Sequence, residues 1–131
     1  MRHMPLSTYE TKRLSQKVLE QHDIEYFKRK YGKRFIRALR AVEEERVHKY
    51  IFNEGEAVRW IVEGSKRDYL IFPRTFCTCT DFYQAVVLDG TVDMCYHLLA
   101  QRISELRGEY LTITGNESQR RRFSKIWRRS G

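Results

Sequence analysis

Two closely spaced pairs of metal-binding residue types constrain this chain more than any other feature. The first pair is Cys77 and Cys79, the second is Cys95 and His97, and fifteen residues lie between them. Zinc in proteins is usually held tetrahedrally by four ligands drawn from cysteine sulfur and histidine nitrogen. The intervening loop can bring the pairs together, since the entropy cost of loop closure grows only slowly with length. Four protein ligands leave no position for water or substrate, so the pattern predicts one structural Zn²⁺ ion rather than a catalytic one.

Other uses of the three cysteines fit the pattern less well. A disulfide between Cys77 and Cys79 would close a small, strained ring. A redox-active pair is usually C-x-x-C at the start of a helix, and an iron–sulfur cluster normally needs four cysteines. Buried, inert cysteines remain an alternative. The remaining histidines show no comparable spacing and are expected to be ordinary surface or sheet residues; they are His3, His22 and His48.

Length, hydropathy and charge limit the class of protein. The 131 residues suit one domain, and no apolar run approaches the roughly 18 residues that cross a membrane. The N-terminus lacks the apolar core of a signal peptide, and three cysteines do not suit a disulfide framework, so we expect an intracellular protein without a membrane partner. The net charge of +8 is uneven: residues 1–44 carry +5, residues 45–108 carry −1 and residues 109–131 carry +4. An anionic partner such as nucleic acid should therefore meet the two ends of the chain.

Hydrophobic periodicity predicts an α+β fold that begins with a basic helical region, residues 1–44. One helix is expected from Leu6 to Tyr31, with Leu14 and Val18 on one face, and Gly32 should break it from the next. In "KRFIRALRAVEEE" the apolar residues gather on one side of the second helix; they are Phe35, Ile36, Leu39 and Val42. The opposite face is basic and consists of Lys33, Arg34, Arg37 and Arg40.

The middle region, residues 45–108, is predicted to hold a small antiparallel sheet of about three strands. "RVHKYIF" and "AVRWIVEG" alternate as strands of a hairpin around "NEG", and "YLIFP" leads into Cys77. "TDFYQAVVL" is expected to form a short helix, and "YHLLAQRISELRG" a longer one that ends at Gly108. Residues 109–131 should then form a basic C-terminal helix or tail, in which "NESQRRRFSKIWRRS" is the helix.

The residues around the two pairs resemble a known zinc finger. "CTCTDF…CYHLLA" is similar to the SWIM finger, Cys-x-Cys followed by Cys-x-His, over about residues 45–107. The resemblance implies a zinc-bound ββα unit with Cys77, Cys79, Cys95 and His97 as ligands. This chain departs from many members at Thr80, where they have proline, and at Tyr96, where they have lysine or arginine.

Small stand-alone SWIM proteins resemble one subunit of the Shu-type recombination complexes. That resemblance implies a non-enzymatic adaptor that binds a RecA-like recombinase paralogue and single-stranded or branched DNA in homologous recombination and repair. A catalytic role has little support, because no G-x-x-x-x-G-K-[ST], G-x-S-x-G or H-E-x-x-H pattern occurs, and no small-molecule substrate is expected.

An alternative is an independent DNA- or RNA-binding protein, for example in transcription, that uses its basic flanking helices. Its candidate phosphate contacts are the α-helical stripe of Lys33, Arg34, Arg37 and Arg40 and the C-terminal set of Arg120, Arg121, Arg122, Lys125, Arg128 and Arg129. If exposed, Phe123 and Trp127 would stack on a base or bind a partner. The opposing interpretation is that both rings dock the helix on the core while the cations stay solvated.

Overall fold

The computed structural model describes residues 6–130, with side chains up to residue 127. Its elements form an α+β fold, as predicted, in which a mixed sheet has helices against both faces. Within the described range 6–130, no helix is both long and apolar enough to cross a bilayer.

Three helices precede the sheet: α1 (Thr8–Leu14), α2 (Gln21–Tyr31) and α3 (Lys33–Glu43). The prediction of one helix from Leu6 to Tyr31 is wrong, because residues 15–20 are not helical. The side chain of Asp23 caps the start of α2 by accepting from the backbone N–H of Glu20, and it also accepts two hydrogen bonds from Arg13 in α1. Val18 therefore lies in the connection, exposed, while Leu14 is buried in the core.

The sheet has five strands in the order β4-β3-β2-β1-β5. They are β1 (Val47–Phe52), β2 (Ala57–Glu63), β3 (Asp68–Phe72), β4 (Phe76–Cys77) and β5 (Leu111–Gly115). The antiparallel pairing of β1, β2 and β3 confirms the predicted hairpin and third strand. The prediction of about three strands was nevertheless too small, because β4 adds a two-residue edge and β5 pairs parallel with β1.

The two faces of the sheet are covered by different helices. Alternate residues point to opposite faces of a strand. The inner face packs against α4 (Tyr96–Arg107), and α3 packs against α4; this face contributes Val47, Trp60, Val62, Ile71 and Cys77 to the larger core. The other side, here called the outer face, carries a smaller apolar cluster that is covered by α5 (Glu117–Ser130).

Helix α5 is attached through its aromatic residues. Trp127 is 1% exposed, and its ring centroid lies 5.0 Å from that of Tyr50 and 5.6 Å from that of Phe123. Phe123 also packs against Phe52. The structure therefore matches the docked interpretation of this helix. The partner-binding surface expected on Phe123 and Trp127 is covered within the chain, since both rings complete the cluster on the outer face.

Candidate metal centre

The two predicted pairs meet at one end of the sheet. The ligand atoms of Cys77, Cys79, Cys95 and His97 all lie within 4.8 Å of one another, and the four side chains are between 0 and 6% exposed. Ligands of a tetrahedral zinc ion with bonds of about 2.0–2.3 Å are separated by roughly 3.3–3.8 Å. The four donors thus stand close to the spacing of a tetrahedral site.

Two hydrogen bonds to sulfur set the local conformation of this cluster. The backbone N–H of Phe82 donates to Cys79 Sγ at 3.2 Å, and that of Leu98 donates to Cys95 Sγ at 3.5 Å. Cys95 is the N-cap of α4, so its sulfur occupies the place that a capping oxygen usually takes. Both bonds direct positive N–H dipoles at the sulfurs and therefore favour the thiolate form that binds metal.

The loop that holds the first pair is fixed to the sheet and to α3. Thr78 is tied to β3 at Leu70 through both its backbone N–H and its hydroxyl oxygen. Farther along, Asp81 accepts two hydrogen bonds of 2.8 Å from the guanidinium of Arg34. One of the predicted nucleic-acid residues, Arg34, thus holds this loop in place.

His97 is the most informative member of the cluster. Its ring lies between those of Tyr69 and Tyr96, with centroid distances of 4.0 and 3.9 Å. Among the described residues, neither ring nitrogen has a hydrogen-bond partner outside the cluster. A buried polar nitrogen without a partner costs about 1–3 kcal/mol, so a ligand-free role for this imidazole is unfavourable. A metal bond would satisfy it.

A cation extends the stack at His97. The guanidinium carbon of Arg37 lies 4.2 Å from the ring centroid of Tyr96, on α4. A cation over an aromatic face is stabilised by roughly 0.5–2 kcal/mol. Arg37 and Tyr96 also line a cleft of about 350 Å³ at the mouth of the cluster, together with Lys66, Thr78 and Thr80. Arg37 therefore supplies a positive charge beside Tyr96 at the mouth of the cluster.

Burial and mutual hydrogen bonds shift the pKa values of the three thiols in different directions. Hydrogen bonds from Cys77 and Cys95 hold the pKa of the Cys79 thiol below its usual range. Burial raises the pKa of the Cys77 thiol above its usual range and that of Cys95 to about 12. A metal ion that binds all three sulfurs as thiolates would have to displace the protons that burial favours on Cys77 and Cys95.

The donor set fits zinc better than the harder cations. Soft thiolates with imidazole suit zinc, whereas calcium and magnesium take oxygen ligands. A second grouping, Glu20, His22 and Asp23, has similar spacing, but its glutamate and histidine are exposed and its aspartate is bonded to Arg13. The described residues thus offer one buried cluster suited to a metal ion.

The other predicted contact residues are spread over two surfaces. Lys33, Arg37 and Arg40 are exposed on α3. On α5, Arg120 and Arg121 pair with Glu117, Lys125 is exposed, and Arg122 lies 5.6 Å from the ring centroid of Phe123. The side chains of Arg128 and Arg129 lie outside the described residues. The sequence interpretation did not single out Tyr69 or the Arg34–Asp81 pair, because their roles depend on contacts between distant parts of the chain.

Comparison of the chain with profiles of known protein families, with curated proteins and with solved structures gave no match. The SWIM resemblance therefore stays a prediction from the residues quoted above.

Proposed function

We propose that Cys77, Cys79, Cys95 and His97 bind one structural zinc ion in a SWIM-like finger, and that the protein is a non-enzymatic adaptor. The observation that carries this proposal is the buried cluster itself, in which four donors lie within 4.8 Å and the imidazole nitrogens have no other partner. Four protein ligands complete a tetrahedral shell, which suits a structural ion.

The ion would link two parts of the fold. Cys77 is the last residue of β4 and Cys79 follows it, whereas Cys95 caps α4 and His97 lies in its first turn. A shared ion therefore joins the edge of the sheet to the helix that packs across its inner face. Structural zinc sites contribute roughly 10–16 kcal/mol, which is as large as the whole stability of an ordinary domain.

Metal content tests the zinc assignment directly. The purified protein should contain one zinc ion per chain by elemental analysis, and Cys77→Ala should lose it and unfold around the cluster. His48→Ala is the matched control, because His48 lies on β1 and contacts Tyr50, away from the cluster. A folded protein without zinc, or a Cys77→Ala protein with full zinc and unchanged melting, would refute the assignment.

As an adaptor, the protein is proposed to bind a RecA-like recombinase paralogue and DNA in homologous recombination. This part is supported by the resemblance of "CTCTDF…CYHLLA" to SWIM fingers and by the positive charge of both ends of the chain. Affinity purification of the tagged, zinc-loaded protein from its own cells should recover a RecA-type ATPase. Recovery of transcription proteins without such an ATPase would favour the alternative of an independent nucleic-acid-binding protein.

A further inference from the structure

A groove runs along the outer face between α5 and the strands β2 and β3; we call it the outer groove. Its volume is about 550 Å³, and its walls include Arg59, Phe72, Arg120, Arg121 and Lys125. The floor is apolar, because Leu70 and Trp127 close it from below. It lies on the side of the sheet opposite to α4, the helix that carries His97.

Cations outnumber carboxylates in and beside the groove. Four of its wall residues are cations, and no carboxylate is among the described side chains that line it. Glu117 accepts two hydrogen bonds from Arg120 and one from Arg121, which holds these guanidinium groups beside the groove. The Arg121 side chain is still 73% exposed, and Lys125 is exposed one turn further along α5. Arg121 and Lys125 are therefore accessible to an anionic ligand, whereas Arg120 is paired with Glu117.

An exposed aromatic ring stands at the open end of the groove. Phe72 is 45% exposed, and its ring centroid lies 6.0 Å from that of Phe76, which is 42% exposed. Helix α5 contacts both β1 and β3, but these two rings at the end of β3 and in β4 remain exposed. The pairing of Trp60 with Ile71 places Arg59 and Phe72 side by side on the outer face. An apolar ring thus lies directly beside a guanidinium.

This combination of features matches one class of ligand. Proteins that bind unpaired nucleic acid combine a positive groove along the backbone with aromatic rings on which bases stack. In a duplex the faces of the bases are already stacked, so an aromatic ring at the surface cannot reach them. An acidic peptide would satisfy the cations but would gain little from Phe72.

We propose that the outer groove binds single-stranded nucleic acid, with a base stacked on Phe72 and the phosphates held by Arg59, Arg121 and Lys125. This inference rests on the proposed adaptor function, because the groove can form only if the zinc-bound protein is folded. The base would stack on Phe72 and not on Trp127, which the C-terminal sequence suggested but which is buried.

The test uses zinc-loaded full-length protein and fluorescence anisotropy with labelled dT15 and U15 oligonucleotides. Wild-type binding of either one should weaken with salt by a log–log slope of about −2, as three phosphate contacts to a single strand require. Phe72→Ala should weaken binding by roughly 5- to 150-fold, whereas Phe72→Trp should keep it. Tyr83→Ala is the control, because Tyr83 is a similarly exposed aromatic outside the groove and should bind as the wild type does.

A second pair of variants tests the phosphate contacts. Lys125→Gln should reduce the magnitude of the salt slope by about 0.7, whereas Lys28→Gln, an exposed lysine of α2, should leave it unchanged. The preference between dT15 and U15 identifies the source of the strand, and binding to either one supports the proposal.

Several results would overturn the groove assignment. These are the absence of salt-dependent binding to both strands, an affinity of Phe72→Ala equal to that of Tyr83→Ala, or equal binding of a matched duplex. The proposal would also be refuted if polyglutamate competed as well as an oligonucleotide for the groove and Phe72→Ala left this competition unchanged. That result would point to an acidic protein ligand instead. Zinc content and melting are measured on the same preparations. Full zinc without strand binding refutes the groove alone, whereas a folded, zinc-free protein refutes the proposed metal centre.

Discussion

Replacement of His97 by alanine separates its metal-binding role from its packing role. An even share of roughly 10–16 kcal/mol among four ligands assigns the imidazole about 3 kcal/mol of zinc binding, or roughly a 150-fold loss of affinity. The ring also contacts Tyr69 and Tyr96 at 4.0 and 3.9 Å, and such pairs contribute about 1 kcal/mol each. The zinc-loaded His97→Ala protein should therefore be about 5 kcal/mol less stable than the wild type.

The measurements are zinc affinity by competition with a chelator and unfolding by circular dichroism. A loss of about 5 kcal/mol should lower the melting temperature by roughly 15 °C in a chain of this size. His48→Ala, on β1, should change both values little. If His97→Ala loses stability but binds zinc as tightly as the wild type, the imidazole only packs between the tyrosines. That result would refute its assignment as a ligand.

Three further predictions concern other parts of the chain. Trp127→Ala should cost about 3–5 kcal/mol in urea unfolding, because the ring is buried, yet leave zinc content unchanged; a cost below 1 kcal/mol would contradict the docking of α5. Although burial opposes it, hydrogen bonds from Lys30, Ser7 and Tyr26 lower the pKa of Glu10 to about 2. The ionised Glu10 therefore adds about 3 kcal/mol to the free energy of unfolding above pH 4.5, and this contribution is lost as the pH falls towards 2. Glu10→Gln should remove this part of the acid sensitivity. Identical acid unfolding curves for the variant and the wild type would refute the prediction. Alkylation followed by mass spectrometry should modify no cysteine in the zinc-loaded protein and all three after chelation; labelling that ignores zinc would count against a thiolate site.

The candidate site was predictable because its signal is local. Cys77 and Cys79, like Cys95 and His97, are close in sequence, and the chemistry of zinc dictates that such pairs share one ion. The structure shows that the four residues do lie together, within 4.8 Å. The identity of the ion and the adaptor role stay predictions. The stack of Arg37 on Tyr96 could not be predicted, because it depends on how α3 crosses α4.

The fold was predictable where the pattern is strong and failed where it is weak. Alternating apolar residues around "NEG" identify β1 and β2. Strand β5, Leu111–Gly115, was not predicted, because its residues are exposed or half-buried, as is usual at the edge of a sheet. The break between α1 and α2 was missed because residues 15–20 include good helix formers, and the cap at Asp23 that competes with them depends on Arg13. The exposure of Phe72 likewise depends on how α5 lies over the outer face, which hydrophobic periodicity in the sequence cannot predict.

The position of β5 has a consequence for synthesis. It pairs with β1, although more than fifty residues separate them in the chain, and α5 follows it directly. A nascent chain that has emerged only as far as residue 110 can already form four strands, but the free edge of β1 and the rings of Tyr50 and Phe52 are still uncovered. An open strand edge beside bare aromatic rings invites association with other chains. Strand β5 and helix α5 thus pair the edge of β1 and cover the rings of Tyr50 and Phe52, so the apolar cluster is enclosed only after both have been made.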